Sequence, residues 1–219
     1  MYSGVKMERN IILFDTETTG LGDRDEVIQF SAVVLHQKDN HLSFKDVISF
    51  YCDTNVFINP DASAIHGITN DRLKELSGGK FFEEQIIKYP DIINPQIPTI
   101  FIAYNIAFDK RLVNQTLLQN GYGAIDFGKN ITSMPRNNVG THNLCLMKYC
   151  EQMYTGGRRV KLQTVIDKYV KTNLLDSLYV KLKETFNITD TANSGYHDAL
   201  YDTIACTVIF VHNRLHLAY

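Results

Sequence analysis

The stretch Ile11-Ile12-Leu13-Phe14-Asp15-Thr16-Glu17-Thr18-Thr19-Gly20 sets the frame for the whole chain. Four apolar residues in a row, ending in acids and then in Thr and Gly, describe a central strand whose C-terminal end opens into a loop. Side chains alternate along a strand, so Asp15 and Glu17 share one side while Thr16 points away. Two carboxylates in so small a volume repel and raise each other's pKa, which is costly unless a cation lies between them. Oxygen ligands of this hard kind suit Mg²⁺ or Mn²⁺ rather than zinc. An Asp-x-Glu pair is also common on solvated strand ends, so the pair alone does not establish a metal site. Thr18-Thr19-Gly20 adds hydroxyls and backbone N–H groups that can meet a phosphate or sugar edge.

Outward from this strand, residues 27–36 and 47–52 are rich in Val, Ile and Phe and flank the polar run Gln37-Lys38-Asp39-Asn40. They read as two further strands of an antiparallel meander. Pro60-Asp61 and Gly67 mark a loop, Thr69 or Asn70 caps a short helix through Leu76, and a second helix is expected over residues 81–89. Residues 99–103 form a fourth strand and residues 107–119 a helix closed by Gly121, so a parallel crossover is implied. Residues 121–140 turn to Gly, Asn, Ser and Pro without clear periodicity, as in a mobile flap or a segment that hides a short strand. Residues 142–147 are expected as a fifth strand, Leu162, Val165, Ile166 and Tyr169 share a helical face, and residues 199–215 make a last, largely buried helix. The architecture is α/β: a mixed five-stranded sheet, antiparallel meander plus parallel strands, flanked by helices.

With 219 residues and 44% hydrophobic content, the chain suits one domain, its core spanning about residues 9–216. Lys and Arg number 22 against 24 Asp and Glu, a formal net charge of -2. That excludes the basic footprint of a static nucleic-acid coat, so any grip on nucleic acid is local and brief. Cys52, Cys145, Cys150 and Cys206 lack CxxC pairing and fit buried thiols in a reducing compartment better than a Cys145/Cys150/His142 zinc site. No apolar stretch approaches ~18 residues and the N-terminus lacks an apolar signal core, which points to a cytoplasmic protein without a membrane partner.

Two more regions carry chemistry. Asp109 lies in the first turn of the helix after the fourth strand, within Tyr104-Asn105-Ile106-Ala107-Phe108-Asp109. An acid there favours the helix N-terminus by charge alone, but the C-terminal ends of neighbouring strands in an α/β sheet also form the usual ligand crevice. Near the C-terminus stands His197-Asp198-Ala199-Leu200-Tyr201-Asp202, at the start of an apolar helix. His197 reads either as a surface or capping residue or as a group hung over the crevice. Asp202 can enter the crevice past the small Ala199, whereas Asp198 reads as an N-terminal helix charge and stands outside the site.

Taken in order, these residues resemble the DEDDh family of 3′–5′ exonucleases within the ribonuclease H-like fold, most of all the proofreading epsilon subunits of bacterial DNA polymerase III. Phe14-Asp15-Thr16-Glu17-Thr18-Thr19-Gly20-Leu21 is similar to the first family motif, Tyr104–Asp109 to the second and His197–Asp202 to the third; Ile65-His66-Gly67-Ile68-Thr69 matches a segment near the substrate pocket. Tyr104 departs from the histidine often found before the asparagine, which puts pocket contacts rather than chemistry in doubt. The resemblance implies catalysis by Asp15, Glu17, Asp109, His197 and Asp202. It also implies two Mg²⁺ or Mn²⁺ ions held by the four acids, with Asp15 bridging, Asp109 supporting the second ion and His197 as general base. Imidazole titrates near ~6.5, so activity is expected to rise with pH.

The expected partner is the 3′ end of a single-stranded nucleic acid, DNA favoured with RNA as the alternative, and docking on a polymerase is a further reading. Substrate contacts are expected from Thr18, Thr19, Gly20, Leu21, His66, Asn105 and Phe108, with Phe108 either stacking on the terminal base or packing in the core. Arg158, Arg159 and Lys161 form the densest basic cluster, read either as a hold on upstream phosphates or as a solvated helix-entry loop.

Overall fold

A computed structural model describes residues 7–135, 140–170, 172–188 and 195–215. Its centre is a mixed sheet whose strands lie side by side in the order 41–51, 27–38, 8–18, 99–103, 142–145 and 129–131. Strands β1 (Glu8–Thr18), β2 (Val27–Lys38) and β3 (His41–Tyr51) form the expected meander. The last two are longer than their apolar runs, because pairing continues to Lys38↔His41 around a tight turn. At that turn Asp39 takes a φ of 54°, the left-handed conformation that two-residue hairpins require. Strand β4 (Thr99–Ala103) runs parallel to β1, and β6 (His142–Cys145) parallel to β4.

Among the described residues the sheet has six strands rather than the expected five. The extra one, β5 (Lys129–Ile131), pairs parallel to β6 inside the aperiodic stretch. Three partly or fully exposed edge residues carry no alternation to detect. Their position is set by neighbours instead. Asn143 donates through Nδ2 to the carbonyls of Phe127 (3.2 Å) and Gly128 (2.9 Å). A Cβ on Gly128, at φ 68°, would lie 1.9 Å from the Thr141 carbonyl oxygen, so only glycine permits the approach. Residues 136–139 of this stretch lie outside the described residues.

Beside the sheet, residues read as loop form α1 (Pro60–His66), because Pro60 opens a helix whose cap Asn59 accepts from the Asp61 N–H at 2.9 Å. Helix α2 (Asn70–Ser77) is capped by Thr69 and ends at Gly78 in the left-handed conformation, as its sequence implies. The next segment is shorter than expected, α3 (Phe82–Ile86), followed by α4 (Pro90–Ile93). Helix α5 (Ile106–Gln119) follows β4. The apolar run beginning at His142 is divided: strand to Cys145, then α6 (Leu146–Thr155), a boundary that a continuous apolar stretch conceals. Helix α7 (Leu162–Val165) passes into a π-helical turn at Ile166–Val170, and α8 (Thr172–Thr185) and α9 (Ala199–His212) complete the chain, α9 ending before the expected residue 215.

Alternation along β1 decides which layer each helix joins. Ile11 and Leu13 face a core shared with α9, including Ile204, Ala205 and Ile209; Ile12 and Phe14 face a core shared with α5, including Leu112, Val113 and Leu117. Phe14 stacks on Phe30 and Phe127 at 5.9 and 5.5 Å and meets Phe101 edge-on at 6.2 Å. Such ring contacts hold the second layer beyond simple burial. Among the described residues, no helix is long and apolar enough to cross a membrane.

Candidate active site

Pairing between β1 and β4 ends at Leu13↔Ile102, so Asp15 stands just past the paired region, at the C-terminal ends of two parallel strands. Opposite Asp15 on β2 is Ser31, whose carbonyl accepts from Thr203 of α9 at 3.2 Å. That bond fixes α9 along the sheet and brings Asp202, one residue earlier, over the Asp15–Glu17 side. One carboxylate oxygen from each of Asp15, Glu17 and Asp202 falls within 4.8 Å of the other two.

Asp109 arrives from the opposite layer. Helix α5 packs on the Phe14 side, and its first turn carries Asp109 over the rim, where the buried Thr16 hydroxyl donates to Asp109 Oδ1 at 3.0 Å. Thr16 therefore is not the idle residue between two acids that alternation suggests. It points to the other face, as expected, and there holds the fourth carboxylate.

Electrostatics follow from this crowding. Asp15 is pushed well above the usual carboxylate range, first by burial and then by Asp109, Asp202, Glu17 and Asp198. Glu17 is raised likewise, by burial and then by Asp202, Asp198 and Asp109. Asp109 is pushed up to about 7 by burial, against the stabilising Thr16 bond. Asp202 also rises to about 7 through burial and the Asp198 and Asp109 charges, against a bond from the His197 N–H. Asp202 Oδ2 accepts that N–H at 3.2 Å, while its buried Oδ1 has no partner among the described residues. A buried carboxylate oxygen without a partner costs free energy. Hard oxygen donors converging with excess negative charge fit a divalent cation, held by Asp15, Glu17 and Asp202 with Asp109 beside them.

His197 sits exposed on the rim with φ 68°, an uncommon conformation for a residue with a Cβ. It is fixed from both sides: its own N–H is bonded to Asp202, and the next residue caps α9. Asp198 Oδ1 accepts from the N–H groups of Leu200 (3.0 Å) and Tyr201 (3.2 Å), and its Oδ2 from Gln29 Nε2 (3.1 Å) and the Tyr51 hydroxyl (3.4 Å). Gln29 Oε1 accepts the Ala199 N–H at 3.2 Å. Asp198 is thus the expected N-terminal charge, but a buried one that pins α9 to β2 and β3. The sequence offers no signal for its partners, which come from strands well over a hundred residues away.

These groups line a cleft of about 710 Å³ with Tyr104, Asn105, Phe108, Arg159, Lys161 and Tyr196 among its walls. Tyr104 donates its hydroxyl to the Val160 carbonyl at 2.7 Å, tying the end of β4 to the segment before α7. Phe108 packs on the α5-side core, as its structural reading expects, and also lines the cleft, with the Arg111 guanidinium 5.6 Å over its ring. Of the other expected contacts Asn105 is in the wall, whereas Thr18, Thr19, Gly20, Leu21 and His66 do not line the cleft. Thr18 donates to the Gly20 carbonyl at 2.8 Å, and Thr19 to Asp25 Oδ1 at 2.7 Å, so both hydroxyls are spent on folding their own loop. A Cβ at Gly20 would lie 2.7 Å from Asp25 Oδ2, so a larger residue there would displace the carboxylate that Thr19 and Gly22 bond. Leu21 is 76% exposed on the same loop. His66 is buried; its Nδ1 accepts the Ile68 N–H at 3.1 Å, so Nε2 carries the proton and donates to the Thr18 carbonyl at 3.2 Å.

A family model described as Exonuclease (RNase_T) matches residues 12–210. The chain belongs to that exonuclease family and is a DEDDh-type nuclease, as its motifs imply. It is 30% identical over 114 residues to the DNA polymerase III subunit epsilon of Buchnera aphidicola subsp. Schizaphis graminum, the match covering 49% of this chain and 45% of that one. The alignment thus spans about half of either protein. Among solved structures, exonuclease X in complex with 5′-overhanging duplex DNA is 20% identical, with a TM-score of 0.50, covering 96% of this chain and 94% of that one. The zinc-bound exonuclease I–ssDNA complex of E. coli is 18% identical with a TM-score of 0.57, covering 96% of this chain and 42% of that one. Exonuclease I of Methylocaldum szegediense is 19% identical with a TM-score of 0.56, over 94% and 41%. At these identities the likeness speaks for the fold, an α/β fold of the ribonuclease H-like kind.

Proposed function

We propose that this protein is a 3′–5′ exonuclease that removes nucleotides from single-stranded DNA, releasing nucleoside 5′-monophosphates with the aid of two Mg²⁺ or Mn²⁺ ions. The observation that carries the reading is the meeting of Asp15, Glu17 and Asp202 within 4.8 Å, with Asp109 delivered from the opposite layer and a buried Asp202 oxygen lacking a partner among the described residues. Divalent cations bound there supply neutralisation of phosphoryl charge and activation of water at neutral pH.

The remaining steps fall to the chain itself. Asp15, Glu17, Asp109 and Asp202 hold the cations. Phe108 presents a ring to the terminal base and Asn105 a polar edge to its sugar or phosphate, both from the cleft wall. His197, on the exposed rim and fixed through its backbone, takes the proton of the attacking water at an imidazole nitrogen and passes it to solvent. The all-buried, unpaired thiols suit a cytoplasmic setting. Residues 9–216 act as one catalytic unit in this reading.

DNA is favoured because the curated relative is a DNA polymerase subunit, which also makes attachment to a polymerase a reasonable second role. RNA 3′-end trimming is the alternative, since the family description carries the name of an RNA-processing enzyme. The test is incubation of wild type and Asp15→Asn with 5′-labelled single-stranded DNA and RNA, in Mg²⁺, Mn²⁺ or EDTA. Stepwise shortening by wild type only, stopped by EDTA, is expected; the polymer consumed faster names the substrate. Endonucleolytic fragments, or full activity in EDTA, would overturn the proposal.

A further inference from the structure

We propose that a second hollow, beside the acidic cleft, is a track for the phosphodiester strand on the 5′ side of the scissile bond. This inference rests on the nuclease reading above and gives that site its upstream half. The hollow is about 720 Å³ and shares Arg159, Val160 and Lys161 with the acidic cleft, so the two adjoin along one segment. Arg158 and Lys168 add two more cations to it. Among the described residues none of these four side chains has a carboxylate partner or a hydrogen bond, and all four are exposed. In a chain of net charge -2, four unpaired cations in one groove are a local excess.

The groove has an aromatic floor. Tyr154 of α6 and Tyr169 stack at 4.5 Å with planes 12° apart, and Tyr169 remains 38% exposed. Tyr169 and Lys168 owe their direction to the π-helical turn, in which Ile166 and Val170 stay buried while the residues between them face out. Such turns depart from regular helix geometry and recur at functional positions. Cations that follow a backbone, with rings on which bases of any identity can stack, describe a single-strand track rather than a base-specific reader.

Backbone contacts keep this wall in place without using its charges. Gly156 ends α6 at φ 63°, Gly157 donates its N–H to the Glu151 carbonyl at 2.8 Å, and the Thr155 hydroxyl bonds the Arg158 carbonyl. Tyr104 holds the Val160 carbonyl from the other side. The side chains that meet solvent are thus borne on a fixed segment, which lowers the cost of ordering them on a ligand.

The test compares wild type with Arg158→Gln/Lys168→Gln, and separately with Tyr169→Ala and Tyr169→Phe, on 5′-labelled oligothymidylates of about two to twelve nucleotides. In wild type kcat/KM should rise with length. In the double variant the gain on the longer oligomers should fall about tenfold, carried by KM, and the salt dependence of log kcat/KM should become shallower by about 0.7 for each phosphate no longer neutralised. Tyr169→Ala should lose about fivefold on the longer oligomers, and Tyr169→Phe should restore it. Length and salt profiles equal to wild type would overturn the proposal. So would the same loss from Lys74→Gln/Lys88→Gln, which removes two exposed cations elsewhere. Should wild type cleave neither DNA nor RNA, the nuclease reading fails instead. Anisotropy of the twelve-nucleotide probe with each variant then decides the groove alone, weaker binding by the double variant supporting it and equal binding refuting it.

Discussion

Helices α5 and α9 each deliver one carboxylate to the cleft from the fourth residue of the helix, Asp109 and Asp202, yet from opposite layers of the sheet and with opposite anchoring. The start of α9 is bound down. Its cap Asp198 is buried and satisfied by two helix N–H groups, Gln29 and Tyr51. At α5 the equivalent residue, Asn105, makes no capping bond with its side chain and lines the cleft. One helix start thus spends its polar side chain on stability, and the other leaves it facing the cleft for a ligand. The carboxylates differ in the same sense: Asp109 has the Thr16 hydroxyl, whereas Asp202 keeps one buried oxygen without a partner among the described residues.

Removing either carboxylate gives the largest effect and tests whether the two helices contribute equally. Asp109→Asn and Asp202→Asn should each lower kcat on the order of a thousandfold. They should part in metal affinity, with Asp202→Asn weakening Mg²⁺ binding more by calorimetry, because Asp202 belongs to the trio within 4.8 Å. Equal losses of affinity would make the helices equivalent and break the contrast.

The acidic crowding also predicts how stability responds to pH. Asp109 and Asp202 are both pushed up to about 7 in the fold, above the ~3.9 of an unfolded aspartate. A raised pKa means the fold binds the proton more tightly, so this stability is complete below about pH 4 and is lost as pH rises through about 7. Metal-free protein should therefore melt at a lower temperature near pH 8 than near pH 5, and Mg²⁺ should raise the melting temperature more at the higher pH. An equal Mg²⁺ shift at both pH values would mean that the carboxylates are not the groups involved.

Third in size is the cap itself. Asp198→Ala removes two N-terminal bonds and the buried acceptor that Gln29 and Tyr51 share, for a loss of about 2–3 kcal/mol in urea denaturation. Loss near zero would show that α9 is held by its apolar face alone.

How much of the fold and site is legible in the sequence depends on the distance over which each feature is encoded. The meander, the crossover to α5 and the place of the acids are written in local apolar runs and short motifs, and each lies close to its expected position. Helix α8 has no counterpart among the expected elements, although Leu175, Tyr179 and Leu182 are buried at helical spacing and carry the signal for it. Strand β5 is the short strand that one of the two readings of residues 121–140 allows, but its bounds cannot be read, since its three residues owe their pairing to Gly128 and Asn143 rather than to any pattern of their own. At the site, alternation correctly places Thr16 on the far face but cannot say what waits there. The Asp198 network joins residues 147 and 169 positions apart, a separation at which a single sequence carries no pairing signal.

Asn105→Ala is the smallest change and the sharpest probe of the contrast between the helices. An asparagine that capped its helix would cost about 1 kcal/mol on truncation, the usual value for such a position. Here the side chain makes no such bond, so denaturation should move by less than about 0.5 kcal/mol. Its place in the cleft wall directs the effect to substrate instead, with KM rising several-fold and kcat little altered, as expected when uniform binding is lost. Were the variant unstable and its KM normal, Asn105 would be a structural cap like Asp198, and the two helix starts would differ only in burial. Stability held with KM raised would mark Asn105 as a helix-start residue whose polar side chain serves the cleft rather than the helix.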